Sequence, residues 1–270
     1  FKDWLINGAD WYGNAAPSYF SHDRSYILRE GEEVGLFYGY EYAGVYQGGD
    51  LPSGTALISA SYDDNGNPIA GEPLFYDLSG EDDVADGKID SDDRTIIGNP
   101  NPDFTWGFTN NFSYKNFDMS IFFIGSHGAE IFNMTEVQLN NGDANTTYDY
   151  YENAWTPSNT GTDQPRVGNA SFREISSRYV ENGSYVRLKN VSIGYNLPKH
   201  LVTKMGLENL RFSVSGQNLL TFTKYSGLDP EVNYYGASGD NNTSSNTVRG
   251  FDFGNYPSVR SISFSLNVTF

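Results

Sequence analysis

An acidic stretch in the first half of the chain carries the residue types that bind a hard divalent cation. Residues 77–94 read DLSGEDDVADGKIDSDDR, with carboxylates at nearly alternate positions around a glycine. Calcium takes about six to eight oxygen ligands, and its binding loops combine alternating acidic residues with a sharp glycine turn. The candidate ligands are Asp82, Asp86, the carbonyl of Lys88, Asp90 and Asp93. We therefore expect a structural Ca²⁺ site in this acidic loop.

Two features of the acidic loop depart from the usual calcium-binding pattern. Val84 stands where a side-chain oxygen is expected, and Asp93 replaces a bidentate glutamate. A wider loop that recruits Asp77, Ser79 or Asp83 would supply the missing oxygen. The alternative is a solvated acidic loop without a metal, since runs of charge are usually exposed to water.

A second group of residues offers aromatic surfaces between the strand-like segments. Most of them lie in the stretch YDYYENAWTP. The candidates for contact with a substrate or a partner are Tyr148, Tyr150, Tyr151, Trp155, Tyr234 and Tyr235. Aromatic side chains dominate protein interfaces and have both an apolar body and a polar end. The alternative is that these residues pack their own loop against itself.

Few residues in the chain point to catalysis. It contains no cysteine, which excludes disulfides, thiolate nucleophiles and cysteine metal sites. The three histidines, His22, His127 and His200, lie far apart, and no P-loop, dinucleotide motif or nucleophile signature accompanies them. The net charge of −17 disfavours a nucleic-acid partner, which requires basic patches. We expect neither an enzyme nor a nucleic-acid-binding protein.

Segments with a two-residue alternation of apolar and polar residues must position these groups. SISFSLNVTF, residues 261–270, alternates throughout, and so do DFTWGFTNNFSY and FDMSIFF, which only Lys115 and Asn116 separate. LRFSVSGQNLLTF follows the same pattern, as expected for β-strands with one apolar face. In YVRLKNVSIGYNL the phase slips at Lys189 and Asn190, which predicts a β-bulge. Further strands are expected near residues 1–9 and, as a hairpin, in SYILREGEEVGLFYGYEY.

Alternation alone allows either a soluble sandwich or a membrane barrel, and the connection lengths favour the barrel. Short links are expected at residues 31–34, 115–116 and 198–208, and long ones at 47–101, 127–183 and 223–257. Alternating short turns and long loops are typical of outer-membrane barrels, whereas loops of this length are rare in compact soluble domains. No apolar run reaches the roughly 18 residues of a membrane helix. We predict an all-β fold, an antiparallel transmembrane β-barrel with about eight strands in this chain.

With these segments in place, the chain resembles the C-terminal part of the SusC/RagA family, the TonB-dependent outer-membrane transporters of Bacteroidetes. The likeness rests on GLFYGYEYAGVYQ, DGKIDSDDRTIIGNPNPDFTWGFTNNFSYKNFDMSIFFIGSHG, ENAWTPSNTGTDQPR, RYVENGSYVRLKNVSIGYNLP, SVSGQNLLTFTKYSGLDPEV and the terminal NVTF. Their order and content match over nearly the whole chain.

The resemblance implies that residues 1–270 are the C-terminal portion of a barrel of about 22 strands, with the plug and the TonB box outside this chain. It also implies TonB-dependent import of oligosaccharides or peptides through the bacterial outer membrane, with a SusD-like lipoprotein as lid. The long loops would be extracellular and the C-terminus periplasmic. In such families a terminal aromatic residue is the barrel-assembly signal, a role that falls on Phe270.

Two other functions stay open at this point. The same barrel could serve as a structural subunit of a larger outer-membrane assembly without transporting anything. The chain could instead be a secreted all-β module that binds glycans through its loop aromatics. A plug with a TonB box upstream of Phe1 would favour the transporter.

Overall fold

The computed structural model describes residues 11–13, 25–58, 62–80, 84–140, 146–168, 174–232 and 249–270. The strands are β1 Trp11–Gly13, β2 Tyr26–Leu28, β3 Leu36–Gly39, β4 Tyr42–Val45, β5 Thr55–Ala56, β6 Pro73–Tyr76, β7 Thr95–Gly98, β8 Phe104–Tyr114, β9 Phe117–His127, β10 Glu130–Asn133, β11 Val180–Asn182, β12 Tyr185–Asn196, β13 Asn209–Thr223, β14 Phe251–Asp252 and β15 Ser261–Thr269. The α-helices are α1 Met134–Leu139, α2 Tyr148–Asn153 and α3 Lys199–Val202. Within these ranges no helix is both long and apolar enough to cross a membrane.

The chain folds as two compact units. The sheet unit consists of Pro102–Ala129, Asn182–Glu231 and Asn255–Phe270. The loop unit consists of Phe1–Asn101, Glu130–Glu181 and Val232–Gly254. The long alternating strands therefore belong to one unit, whereas most of the two long connections between them belongs to the other.

The sheet unit is built on a single antiparallel sheet. Its strand order is β15-β13-β12-β9-β8, so each long strand pairs with the next long strand along the chain. A tight turn at Lys115 and Asn116 joins β8 to β9, and Lys115 has a positive φ of 55°. Helix α3 lies in the link from β12 to β13. The predicted hairpin, the short link after β12 and the long connections after β9 and β13 are confirmed.

The predicted bulge is present in β12. Leu188 lies opposite Phe123 of β9 and Asn190 lies opposite Phe122, so Lys189 is an extra residue in β12. The insertion changes the phase of the alternation, and Val191 therefore returns to the face that Leu188 occupies. The slip read from the sequence is a local irregularity in an otherwise continuous strand.

One face of this sheet is a continuous apolar surface that is exposed. Its residues stand opposite one another in cross-strand rows, such as Phe112, Met119, Ile193, Val214 and Phe264. The exposed fraction of Phe264 is 78% and that of Phe222 is 61%. Serine, threonine and asparagine alternate with them on the other face, as in β15. The sheet thus has one mainly apolar and one mainly polar face across its five strands, with Phe122 and Ile124 of β9 as apolar residues on the second face.

The number of long strands differs from the expectation. Among the residues that the structure describes, five strands form this sheet, whereas about eight barrel strands were expected in the chain. The hairpin expected in residues 25–42 does form, but its strands β2 and β3 join β1 and β7 in a separate four-stranded sheet. Tyr26, Ile27 and Phe37 in that sheet are completely buried. These short strands are therefore core strands of the loop unit, and the strand expected at residues 1–9 lies outside the described residues.

The loop unit has its own hydrophobic core. A three-stranded sheet in the order β11-β10-β14 contributes Phe132 and Phe251, which pack against Phe37 of β3. The ring centroids of Phe37 and Phe251 are 4.9 Å apart, in an edge-to-face arrangement. A second three-stranded sheet has the order β4-β6-β5. The long connections are thus folded structure with a core of their own.

Candidate functional site

A buried arginine organises the polar face of the sheet unit. Arg187 of β12 is 1% exposed. Its Nε donates to Thr221 Oγ1 at 2.9 Å on the neighbouring strand, and Nη2 donates to Asp229 Oδ1 at 2.5 Å. Nη1 donates to Glu231 and, at 3.0 Å, to Ser258 Oγ. One guanidinium therefore joins the sheet to both ends of the connection between β13 and β15.

The two carboxylates that meet Arg187 have further partners. Asp229 Oδ2 accepts from the Ser258 amide at 2.8 Å, and Lys189 Nζ donates to Glu231 Oε2 at 3.1 Å. Burial would raise the pKa of Asp229, but hydrogen bonds from Arg187 and from two backbone amides outweigh it and lower that pKa. Two basic and two acidic side chains thus balance in this cluster, which satisfies its buried charges.

A second ion pair crosses the polar face near the short-turn end of the strands. Arg211 of β13 donates to both carboxylate oxygens of Asp118 in β9, at 2.5 and 2.7 Å. Its guanidinium passes over β12 at Gly194, where a Cβ would lie 2.1 Å from Nη2. The glycine leaves room for a bidentate pair between strands that are not adjacent. This pair lies within the sheet and holds no loop.

The acidic loop is ordered by hydrogen bonds from its carboxylates to its own backbone. Asp93 is completely buried and accepts from the amides of Leu78 and Ser79 at 2.8 and 2.9 Å, and from that of Asp90 at 2.7 Å. Asp77 accepts from the Gly87 amide at 2.7 Å. Asp86 and Asp90 each accept from an amide two residues further on, those of Lys88 and Asp92.

These contacts leave the calcium site a prediction. Gly87 has a φ of 85°, as a sharp turn requires. Across the described ranges, however, no group of three or more His, Cys, Asp or Glu side chains is arranged to hold a metal. Asp82 and Asp83 lie outside those ranges. Within the described residues, the buried carboxylates at positions 77 and 93 accept only from backbone amides, and the exposed ones at 86 and 90, which each accept from one amide, are the candidates for an ion.

The aromatic residues of the loop unit divide between packing and exposure. In α2, Tyr150 is 1% exposed and its hydroxyl donates to the Pro165 carbonyl at 3.0 Å. Tyr148 and Tyr151, on the other side of the helix, are 76% and 67% exposed. Trp155 is half-buried and donates from Nε1 to Gln47 Oε1 at 2.8 Å. Packing thus explains Tyr150 and much of Trp155, whereas two tyrosines stay available for a partner.

Three further candidates are located only in part. Phe270 follows β15 and is 86% exposed, and its role as an assembly signal stays a prediction. Tyr234 and Tyr235 lie outside the described residues. The cluster around Arg187 was not singled out as a site from the sequence. Its only signal there was the segment SGLDPEV, which contributes to the family resemblance and contains Asp229 and Glu231.

Comparison with known proteins identifies relatives of this arrangement. TonB-dependent receptor P3 of Formosa agariphila is 52% identical over 266 residues, which are 98% of this chain and 25% of that protein. TonB-dependent receptor SusC of Bacteroides thetaiotaomicron is 32% identical over 174 residues, 63% of this chain and 16% of that protein. The solved RagAB peptide transporter superposes with a TM-score of 0.66 at 25% identity, covering 91% of this chain and 24% of that chain.

No family model matches the chain. A second RagAB structure, the peptide importer in its open-open state, has a TM-score of 0.69 over 98% of this chain, and at 24% identity it supports the fold. The chain spans about a quarter of the length of receptor P3 and of both RagAB chains. The chain belongs to the SusC/RagA family of TonB-dependent receptors and corresponds to a C-terminal part of such a protein.

Proposed function

We propose that this chain forms part of the wall of an outer-membrane barrel through which a TonB-dependent receptor takes up nutrients. The observation that supports it best is the five-stranded antiparallel sheet with one exposed apolar face and one polar face. A membrane barrel turns such an apolar face to lipid and its polar face to a water-filled interior. The family membership supports the same reading.

The dimensions of the strands agree with this proposal. An 11-residue strand such as β8 extends for about 37 Å at about 3.4 Å per residue. At the tilt of about 45° that barrel strands adopt, it rises by about 26 Å. The apolar band of outer-membrane barrels is about 25 Å tall. In this arrangement the long connections lie outside the cell and the C-terminus faces the periplasm.

The cargo proposed for the receptor is a peptide or an oligosaccharide, captured beneath a SusD-like surface lipoprotein. One solved relative is the RagAB peptide transporter, and another relative is the TonB-dependent receptor SusC. The exposed Tyr148 and Tyr151 support contact with a lipoprotein or with cargo, because tyrosine is enriched at interfaces. The acidic loop, with Ca²⁺ if it binds, would hold part of the loop unit in place.

Uptake by the intact receptor tests the proposal. Cells that express the receptor with its neighbouring lipoprotein are supplied with fluorescent peptide or oligosaccharide libraries, with and without TonB. Accumulation of one class that needs both TonB and the receptor is expected. An assembled receptor that copurifies with other outer-membrane proteins but accumulates neither class would favour a structural subunit instead.

A further inference from the structure

The cluster around Arg187 lies at the end of the sheet from which the two long connections leave. Tyr185, two residues before it, pairs with Ser126 and Thr223 at the ends of β9 and β13. The Tyr185 hydroxyl donates to Glu231 Oε1 at 3.1 Å. The segment after β13 therefore folds back over the polar face instead of leaving the sheet directly.

The segment that folds back is itself closely packed. Tyr225 is 5% exposed, and its ring lies where a Cβ on Gly227 would be, 2.4 Å from one ring carbon. Asp229 is 5% exposed, and its Oδ1 also accepts from the Glu231 amide at 2.9 Å. The segment thus reaches Arg187 in a defined conformation.

The other end of the same connection meets the same arginine. Ser258 contacts both Arg187 and Asp229, and the Val259 carbonyl accepts from Asn218 Nδ2 of β13 at 3.1 Å. Asn218 has a positive φ of 50°, in the irregular stretch of β13 opposite the bulge. Residues 225–231 and 255–259 are thereby held side by side on the polar face, and together we call them the strap.

The charge balance makes Arg187 the central member of this arrangement. Its removal would leave Asp229, which is 5% exposed, without its cationic partner. An unpaired buried charge costs far more than a missing surface ion pair. Arg211 provides a contrast on the same face, because it pairs with Asp118 inside the sheet and holds no loop segment.

We propose that Arg187 is a positioning residue that fastens both ends of the connection between β13 and β15 onto the polar wall. By holding the strap there, it sets how much of the passage the strap itself covers. The influence on the passage rests on the proposed function, in which the polar face lines the passage. The fastening of the strap concerns its fold alone and does not depend on that function.

The test compares Arg187→Gln with the control Arg211→Gln in the intact receptor, after heat-modifiable gel mobility has verified assembly. Hydrogen exchange of the Glu231 and Ser258 amides should become at least about 10-fold faster in Arg187→Gln and stay unchanged in the control. Entry of a hydrophilic antibiotic too large for ordinary porins should rise several-fold in Arg187→Gln alone. Glu231→Gln keeps the shape of the side chain and removes its charge, so it should change amide exchange and antibiotic entry less than Arg187→Gln does. It replaces Arg187→Gln in the test if that variant does not assemble.

The outcomes separate the two parts of the inference. Unchanged amide exchange in an assembled Arg187→Gln receptor, or equal effects in both arginine variants, would show that Arg187 does not fasten the strap. Faster exchange without any change in antibiotic entry would overturn its influence on the passage. Failure of the wild-type receptor to import cargo would refute the proposed function and leave the exchange result intact.

Discussion

At the scale of single residues, the charged side chains described here mostly hold the backbone of loops. Asp93 accepts from three amides while fully buried, and Arg187 joins two loop segments to a strand. A buried amide that is removed from water needs a hydrogen-bond acceptor. A buried carboxylate that accepts from several amides supplies it where no regular secondary structure does. Loops with little apolar content acquire a defined shape in this way.

The exposed carboxylates of the acidic loop allow calcium binding to be tested. Asp86→Asn combined with Asp90→Asn should remove bound Ca²⁺ and speed proteolysis within residues 77–94, with the sheet unit unaffected, because both side chains are exposed and are predicted ligands of the ion. Elemental analysis and limited proteolysis measure the two effects. Asp63→Asn is the control, since Asp63 caps a separate turn through the Asn65 and Asn67 amides. Absence of calcium in the wild type, with a loop equally resistant after chelation, would rule the site out.

At the scale of elements, the alternation of side chains decides where each long strand can lie. Five strands in one sheet share the same two faces because the register of most pairs sets apolar residues opposite apolar ones, as in the row that runs from Phe112 to Phe264. The bulge at Lys189 is what keeps β12 in that arrangement. A sheet of this kind requires an apolar medium on one side.

A charge placed on either face of β15 tests this requirement. Phe264→Arg should destabilise the assembled barrel by about 2–4 kcal/mol, since residue 264 lies near the middle of the strand on the face that we propose to contact lipid. Ser265→Arg, on the opposite face, should cost much less. Chemical unfolding in lipid vesicles measures both. Labelling of a cysteine at 264, and not at 265, by a membrane-impermeant reagent would show the faces to be reversed.

The loop unit allows a test of close packing. Gly39 ends β3, and a Cβ there would lie 2.2 Å from the Ile175 carbonyl oxygen, which accepts from the Tyr40 amide. Gly39→Ala should therefore cost about 1–3 kcal/mol of the stability of this unit, as overpacking does. Gly161→Ala is the matched control, because nothing lies within 4 Å of a Cβ at that position. Equal proteolytic resistance of the two variants would contradict the packing described here.

At the scale of the whole molecule, the chain combines a sheet suited to a membrane with a loop unit that has its own aromatic core. Phe37, Phe132 and Phe251 come from three distant parts of the sequence and meet in that core. The same unit exposes Tyr148 and Tyr151, the residues that we proposed as contacts for a partner or cargo.

Partner binding can be tested on these tyrosines. Tyr148→Ala combined with Tyr151→Ala should weaken copurification of the surface lipoprotein by at least about tenfold, since exposed aromatic anchors carry much of the free energy of an interface. Tyr62→Ala serves as the control, because Tyr62 is 63% exposed elsewhere in the loop unit. Quantitative pull-down from detergent extract measures the effect. Retention equal to that of the control would place the lipoprotein contact elsewhere.

Features that depend on neighbours along the chain could be predicted from the sequence. The alternation in residues 261–270, the hairpin at Lys115 and Asn116, and the bulge at Lys189 were all readable, because strand faces and tight turns are local properties. The lengths of the connections, which are also read directly along the chain, indicated a barrel. The resemblance to the family also followed from ordered local motifs.

Contacts between residues that are distant along the chain became visible in the folded structure and not in the sequence. Arg187 and Asp229 are 42 positions apart, and no spacing rule joins them. The segments that became β2 and β3 looked like barrel strands, yet they are buried in the loop unit, because burial on both faces depends on which other segments cover them. In α2, six residues were too few to reveal that Tyr150 faces inward and Tyr148 outward. The local sequence pattern specifies the strands and helices. Which of them pack together depends on contacts between distant parts of the chain, about which the local pattern carries no information.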